Sequence, residues 1–202
     1  VDQLAGKGNT LIIFTADNGP WNSKCDLAGS QGQFKGLWQK THGGGGGTGK
    51  FTTWEGGHRV PLVIRWPERI QAGKSSNQMV CLTDIFATCA AIIGADLPTD
   101  GAEDSLSFLS SLLRKASDDG RTTVVNHSNH GEFAYRDGPW KLVFKMSGRN
   151  PQQSRGKPTI AELYNLDSDV SEQNDLPPKY PETVERMTAD HHWKSGQSAD
   201  WA

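Results

Sequence analysis

An apolar run that stops abruptly in polar side chains does most to limit what this chain can fold into. In TLIIFTADNGP, residues 10–20, the apolar residues 11–14 are typical of a strand buried on both faces, as in the parallel sheets of α/β proteins. The Asn-Gly-Pro that follows is ordinary turn chemistry. The strand therefore brings Asp17 and Asn18 to the carboxyl end of a sheet, where α/β proteins usually hold their ligands.

Hydrophobic periodicity predicts further helices and strands, and the sequence pattern changes near residue 131 to short β segments. Apolar spacing indicates a mostly buried helix over residues 77–94, closed by a glycine, and another over 106–113. Short β segments separated by turns then indicate antiparallel pairing. The other expected elements are strands at 62–65, 122–128 and 161–169, a hairpin over 132–144 and a terminal helix within 177–201. We expect an α/β part over residues 1–130, and a small antiparallel α+β subdomain with its tail over 131–202.

Charge and cysteine content exclude several classes of function. The 21 basic and 23 acidic residues are evenly mixed, so neither nucleic acid nor a membrane surface is an expected partner. Three cysteines without a CxxC spacing predict neither a zinc site nor a complete set of disulfides. The longest apolar stretch, residues 79–94, is too short and too polar to span a bilayer. The first residues lack the basic and then apolar order of a signal peptide, so they predict no export signal.

Two groups of residues could carry chemistry. Asp17 and Asn18 offer two hard oxygens, which suit calcium or magnesium, although a simple turn would also account for them. The second group is GTGKFTTWEGGHRVP, where Lys50 in a glycine-rich loop could meet an anionic substrate group or simply be solvated. A phosphate-binding loop is excluded, because Phe51 stands where GxxxxGK[ST] requires a hydroxyl. We expect Glu55 and Arg59 to form an ion pair that pins the turn.

Five segments, in order, resemble the carboxyl-terminal part of the type I sulfatases of the alkaline phosphatase superfamily. They are FTADNGP, GKFTTWEGGHRVPLVIRWP, VCLTDIFATCAAIIGADLP, FAYRDGPWKLV and ELYNLDSD. The resemblance implies part of the alkaline-phosphatase-like α/β sheet with helices, followed by a small antiparallel subdomain. It implies that Asp17 and Asn18 are ligands of an active-site calcium, with magnesium as the alternative, and that Lys50 is a catalytic lysine that binds the substrate sulfate. The substrate would be a sulfated small molecule or glycan.

The same resemblance implies a nucleophile and further metal ligands that do not occur among these 202 residues. The nucleophile of the family is a formylglycine made from the Cys or Ser of a C/S-x-P-S-R motif, and none of Cys25, Cys81 and Cys89 stands in one. The resemblance therefore implies an inactive fragment, with the formylglycine and the other metal ligands encoded upstream. Phe51 also stands where the family often has a smaller residue, frequently glycine, and a five-glycine run precedes Lys50.

His127 and the remaining alternatives complete the sequence-based hypotheses. His127, in NHSNHGEFAYRDG, resembles a family segment near the pocket, so we expect a substrate contact, with a structural role as the alternative. A phosphodiesterase or phosphonate hydrolase of the same superfamily is a second enzyme class. A non-catalytic binding module is a third reading, although an isolated strand at residues 11–14 would expose apolar surface and favour aggregation. The resemblance to the family implies a periplasmic, lysosomal or secreted protein.

Overall fold

The structure is a computed structural model that describes residues 8–34, 49–114, 120–129, 132–145, 159–176 and 179–190. The chain divides into two compact units, residues 1–17 with 61–122, and residues 18–60 with 123–202. This grouping by packing differs from the boundary expected after residue 130, because segment 18–60 packs with the carboxyl-terminal sheet. The glycine run 43–47, His130 and residues 191–192 lie outside the described residues.

The described strands and longer helices follow the predicted order, and two short helices that were not predicted come in addition. The strands are β1 (Ile12–Thr15), β2 (Leu62–Arg65), β3 (Thr123–His127), β4 (Phe133–Asp137), β5 (Trp140–Lys145) and β6 (Thr159–Asn165). The helices are α1 (Glu55–His58), α2 (Asp84–Ile93), α3 (Leu109–Leu112) and α4 (Pro181–Asp190), with a 3₁₀ helix at Asn22–Leu27. Among the described residues, no helix combines the length and apolar character that a membrane span requires.

The first unit contains an antiparallel pair, β1 and β2. Phe14 lies opposite Val63 in this pair. The expectation of a strand in a parallel sheet, buried on both faces, is therefore wrong for the described residues: the Phe14 side chain is 65% exposed and that of Val63 is 59% exposed. Alternate residues of a strand point to opposite faces, so this pair has one face that no described residue covers.

Helices α2 and α3 are shorter than predicted because side chains bind the neighbouring backbone. Gly94 ends α2 in the left-handed region at φ 68, as predicted for a glycine cap. The helix begins only at Asp84, whose carboxylate accepts the Cys81 N–H at 2.7 Å. Ahead of α3, Thr88 Oγ1 accepts the Phe108 N–H at 3.0 Å. These bonds satisfy backbone groups just outside the two helices, in place of further helical hydrogen bonds.

Asp84 is the polar centre of the first unit. It is 1% exposed, and it accepts hydrogen bonds from the Leu106 N–H at 2.9 Å and from Arg121 Nε and Nη2 at 2.8 and 2.6 Å. Burial alone would raise the pKa of Asp84, but the hydrogen bonds from Arg121 and the backbone outweigh it and lower that pKa. Asp84 is therefore held as a buried carboxylate that joins α2 to the segments around it.

The second unit contains a four-stranded antiparallel sheet in the order β3-β4-β5-β6. The predicted hairpin through residues 137–139 is confirmed, and Gly138 takes the positive φ of 53 that its turn requires. Alternate residues of β5 face two apolar clusters, one on each side of the sheet. One cluster contains Leu142, Phe144, Leu163 and Met187 of α4, and the other contains Trp54, Ala134, Val143, Tyr164 and Leu166. The predicted terminal helix thus covers one face, and the segment around Trp54 covers the other.

Candidate functional site

The loop that contains Asn18 is fixed by a close backbone contact. The N–H of Gly19 donates to the carbonyl of Gly57 at 2.9 Å. A Cβ atom added at Gly19 would lie 1.7 Å from the carbonyl oxygen of Gly56, so no other residue fits there without movement of the backbone. The glycine of Asn-Gly-Pro therefore serves close packing as well as turn formation. We call residues 18–20 the Asn18 loop.

Lys50 lies on the segment to which this loop is bonded. Its N–H donates to the carbonyl of Pro20 at 2.8 Å. We call residues 49–58, which include α1, the Lys50 turn. Thr52 Oγ1 donates to the carbonyl of Gly49 at 2.7 Å, which closes the turn on itself. Two backbone hydrogen bonds thus hold the predicted metal ligand Asn18 and the predicted sulfate-binding lysine on adjoining segments.

The side chain of Lys50 lies against the ring of Phe51, which in turn contacts Trp21. The Lys50 Nζ atom lies 5.3 Å from the centroid of the Phe51 ring, and Trp21 meets that ring edge-on at 5.8 Å. Lys24 Nζ lies 4.6 Å from the Trp21 ring. Phe51 has a φ of 76, in the left-handed region that favours glycine.

His127 lies at the end of β3, near the Lys50 turn in the same unit. The backbone N–H of Asn129 donates to the carbonyl of Phe51 at 3.3 Å, which joins this strand end to the turn. The His127 side chain is exposed, and its ring lies 5.8 Å from the ring of Phe133. The backbone after β3 therefore lies next to the Lys50 turn. A substrate contact by His127 stays a prediction.

Asp17 ends the amino-terminal segment of the first unit, residues 1–17, and Asn18 begins the first segment of the second unit. Its side chain is exposed, and that of Asn18 is half-buried. A carboxylate and a carboxamide are oxygen donors of the kind that calcium takes, out of about six to eight in a full site. The described residues contain no group of three or more His, Cys, Asp or Glu that could hold a metal ion. The pair thus fits calcium as part of a larger ligand set.

A buried group of charges lies beneath the Lys50 turn. The expected pair of Glu55 and Arg59 is present at 3.5 Å, but Glu55 also has stronger partners. Its Oε1 lies 3.1 Å from Lys141 Nζ, and its Oε2 lies 3.2 Å from Arg136 Nη1. Glu172 Oε1 lies 2.7 Å from the same Lys141 nitrogen, and Glu172 Oε2 accepts the N–H of Glu55 at 2.7 Å. We call Glu55, Arg136, Lys141 and Glu172 the Glu55 cluster.

The charges of this cluster and a neighbouring histidine have shifted pKa values. Burial would raise the pKa of Glu55, but Lys141 and Arg136 outweigh it and lower that pKa. Burial would lower the pKa of Lys141, but the two carboxylates raise it. Burial does raise the pKa of Glu172, which Lys141 offsets only in part. Burial, with the charge of Lys141, lowers the pKa of His58 from 6.5 to about 4, so His58 is neutral at pH 7.

Sequence reasoning did not find Lys141 or Glu172. Lys141 stands inside the apolar run of β5, and a lysine in such a run is the signal that could have indicated a buried charge. Glu172 follows β6 in a polar stretch that carries no such signal. Lys141 and Glu172 are each 0% exposed, so both belong to the interior of the second unit.

Comparisons with known proteins agree with this fold. The family model described as Sulfatase matches residues 1–95. The chain is 38% identical to arylsulfatase G of Rattus norvegicus over 93% of this chain, and 32% identical to an N-acetylgalactosamine-6-O-sulfatase of Bacteroides thetaiotaomicron over 93% of this chain. A solved structure described under glycosaminoglycan metabolism by Bacteroides thetaiotaomicron has a TM-score of 0.71 at 28% identity, covering 93% of this chain and 39% of that one.

These findings define a class of protein. The chain belongs to the type I sulfatases, and its structural neighbours have the alkaline-phosphatase-like fold. The chain spans 38% of the length of the rat relative and 37% of that of the bacterial one.

Proposed function

We propose that the whole protein is a sulfuric ester hydrolase of the arylsulfatase type. Family membership supports the reaction class. The observation that carries the assignment to residues is the pair of backbone hydrogen bonds, Gly19 to Gly57 and Lys50 to Pro20, which joins the Asn18 loop to the Lys50 turn. A metal ligand and a cationic side chain on adjoining segments suit the binding of one sulfate group between them.

In this proposal the Lys50 ammonium binds the sulfate oxygens and lies near the leaving oxygen. A unit charge about 4 Å from another contributes roughly 4 kcal/mol near a protein surface. That contribution increases as negative charge develops on the leaving oxygen, so it accelerates the reaction as well as aiding binding. The Phe51 ring beside Lys50 reduces the solvent around the ammonium group and so reduces screening.

Asp17 and Asn18 would hold the calcium ion of the family, with magnesium as the alternative. When bound, such a cation neutralises charge on the sulfate oxygens. The backbone hydrogen bond from Gly19 to Gly57 fixes the Asn18 loop, which supports a definite position for Asn18. The proposal assigns the formylglycine and the remaining ligands to residues of the whole protein outside these 202, since no C/S-x-P-S-R motif occurs among them.

The proposed substrate is a sulfated small molecule or glycan. The names of the relatives, an arylsulfatase and an N-acetylgalactosamine-6-O-sulfatase, cover both classes. Trp21 and Phe51 support either one, because an arene and the apolar face of a sugar both pack on aromatic rings. Periplasmic, lysosomal or secreted localisation stays a prediction of the family resemblance.

The first test uses the full-length protein, an aryl sulfate and an aryl phosphodiester. Lys50→Ala should lower kcat/KM for the sulfate about 100-fold or more, as the loss of one charged group at a transition state does. Lys74→Ala, which removes an exposed lysine of the first unit, should leave kcat/KM unchanged. Full activity of Lys50→Ala, or faster hydrolysis of the phosphodiester by the unaltered protein, would contradict the proposal.

The second test addresses the metal. Calorimetric titration of the chelator-treated full-length protein should show calcium binding that Asp17→Ala weakens at least about tenfold, because a calcium site loses affinity with each carboxylate removed. Asp26→Ala, which removes an exposed aspartate of the same region, is the matched control. Equal calcium affinities of the Asp17→Ala and Asp26→Ala proteins would remove Asp17 from the ligand set.

A further inference from the structure

The Glu55 cluster has no part in binding the substrate, yet it is the most buried group of charges near the proposed site. Lys141, Glu55 and Glu172 are 0%, 3% and 0% exposed. Burying charges is costly, and an apolar group of similar volume is often as stable as a buried ion pair. A gain in stability therefore does not explain the cluster well. A buried charge cluster can instead select one geometry out of several.

The geometry that the cluster selects is that of the Lys50 turn. Glu55 is the first residue of α1, and its own N–H donates to Glu172 while its side chain binds Lys141. The side chain of Glu55 is thus fixed by Lys141 of the carboxyl-terminal sheet, and its backbone N–H by Glu172 of the loop after that sheet. Trp54, 2% exposed and packed on Tyr164 at 5.8 Å, anchors the preceding residue to the same sheet.

From Glu55 the constraint extends in both directions along the turn. Towards the amino terminus, Thr52 closes the turn on Gly49, next to Lys50. Towards the carboxyl terminus, the carbonyl of Gly57 accepts the N–H of Gly19 in the Asn18 loop. A Cβ atom added at Gly57 would lie 2.7 Å from the carbonyl oxygen of Thr52, so this turn has little room to adjust. A shift of Glu55 would therefore act on Lys50, which lies in the same turn.

We propose that Lys141 and Glu172 are positioning residues that set the pose of Lys50 through Glu55. The inference rests on the proposed function of Lys50 and extends it to residues that lie beyond the part matched by the family model, residues 1–95. It predicts that oxyanion affinity depends on a lysine and a glutamate that no substrate touches. Displacements near 1 Å can cost about 100-fold in rate, so small shifts of the turn are measurable.

The experiment measures the inhibition constant of inorganic sulfate and the kcat/KM for an aryl sulfate in the full-length protein. Glu172→Gln keeps the size of the side chain and an acceptor for the Glu55 N–H, but removes one charge next to Lys141. We expect the inhibition constant to rise about tenfold in variants whose melting temperature stays above the assay temperature. Asp137→Asn is the matched control. Asp137 lies on β4 of the same sheet and pairs with Arg186 of α4 at 2.5 Å, and this ion pair does not touch the turn.

A double-mutant cycle separates positioning from general stability. If Glu172 acts through Lys50, Glu172→Gln should change the inhibition constant by less than about twofold when Lys50→Ala is already present. Lys141→Met should behave in the same way with a larger effect. Should Lys141→Met fail to fold, the cycle with Glu172→Gln decides the question.

Each outcome supports or overturns a definite statement. Independent, multiplicative effects of Glu172→Gln and Lys50→Ala, or no effect of Glu172→Gln beyond that of Asp137→Asn, would overturn the positioning role alone. An unchanged inhibition constant in Lys50→Ala itself would overturn the proposed function of Lys50, and the positioning role with it. A rise for Glu172→Gln that vanishes in the Lys50→Ala background would support both.

Discussion

The two units of the chain complete their interiors in different ways. In the second unit, the sheet packs against apolar clusters on both faces, and Leu142 and Leu163 are 0% exposed. In the first unit, only Ala87 and Phe108 are buried hydrophobic residues of the described chain. Its strands and α2 instead leave large apolar side chains exposed, namely Phe14, Val63, Phe86 and Ile93.

This difference bears on where a binding site can be held rigidly. Asn18 and Lys50 both belong to the unit that closes its own core, so their backbone positions rest on packed side chains and buried charges. The first unit is ordered mainly by hydrogen bonds around Asp84.

Truncation of a core leucine should separate the two units most strongly. Leu163→Ala should lower the free energy of unfolding of the second unit by about 2–5 kcal/mol, because it leaves a cavity between β6 and α4. Phe14→Ala, a truncation at a 65% exposed side chain, should cost about 0.5 kcal/mol or less. Hydrogen exchange of the full-length protein, followed in peptides from β6 and β1, measures both. Similar losses for the two variants would contradict the contrast.

Mild acid should destabilise the second unit. Unfolded His58 binds a proton below pH 6.5, whereas folded His58 does so only near pH 4. The free energy of unfolding should therefore fall as the pH is lowered from 6.5 to 4, by about 3 kcal/mol from this group. Glu172 acts in the opposite direction, because its raised pKa makes the folded state take up that proton first.

Hydrogen exchange of peptides from β5 and α2, corrected for intrinsic rates, checks this pH dependence. All six histidines lie in the second unit, so α2 should keep its protection over this pH range. The lowered pKa of Asp84 places the acid loss of the first unit below pH 3.8. His58→Gln should flatten the profile of β5 between pH 6.5 and 4, and an unchanged profile in that variant would assign the effect elsewhere.

Loss of the Asp84 partner should affect the first unit alone. Arg121→Met removes a guanidinium that binds Asp84 twice and should cost about 1.5–3 kcal/mol, since a buried carboxylate loses charged hydrogen bonds. Arg69→Met, an exposed arginine stacked on Trp66, is the matched control. Hydrogen exchange should increase in α2 and not in β5. Equal increases in both elements would show that the units do not respond separately.

The smallest effect concerns the left-handed residue of the Lys50 turn. Phe51→Ala and Phe51→Gly lose the same ring contacts with Trp21, but only glycine adopts a φ of 76 without strain. The glycine variant should therefore be more stable than the alanine variant by about 1 kcal/mol. Thermal unfolding of the two proteins measures the difference, and a more stable alanine variant would refute the account of strain.

Local sequence signals predicted most of the helices, strands and turns. They did not predict which backbone groups and strands these elements would pair with. Gly94 at the end of α2 and the turn at residues 137–139 were predictable because glycine and proline act on their immediate neighbours. The late start of α2 was not predictable, because it depends on the carboxylate of Asp84 binding the backbone of Cys81. The antiparallel pairing of β1 also escaped prediction, since an apolar run alone does not specify its neighbour.

The candidate site likewise contains residues that the sequence could indicate and residues that it could not. Asp17, Asn18 and Lys50 could be named from motifs, because their spacing from glycines and prolines is local. The Glu55 cluster could not, because its bonds join residues far apart in the chain, and the bond from the Glu55 N–H to Glu172 spans 117 residues. Charge pairing of this kind is decided by the tertiary fold.

That long-range bond has a consequence for the order of events on the ribosome. The Lys50 turn cannot reach its final form until Glu172 has been synthesised, although most of the turn is made much earlier. At about 5–20 residues per second, the interval is roughly 6–23 s. During that time the turn lacks the sheet that holds it, and contacts so distant in sequence form slowly. Premature termination after Lys50 and before Glu172 would therefore leave Lys50 translated without the contacts that hold its turn.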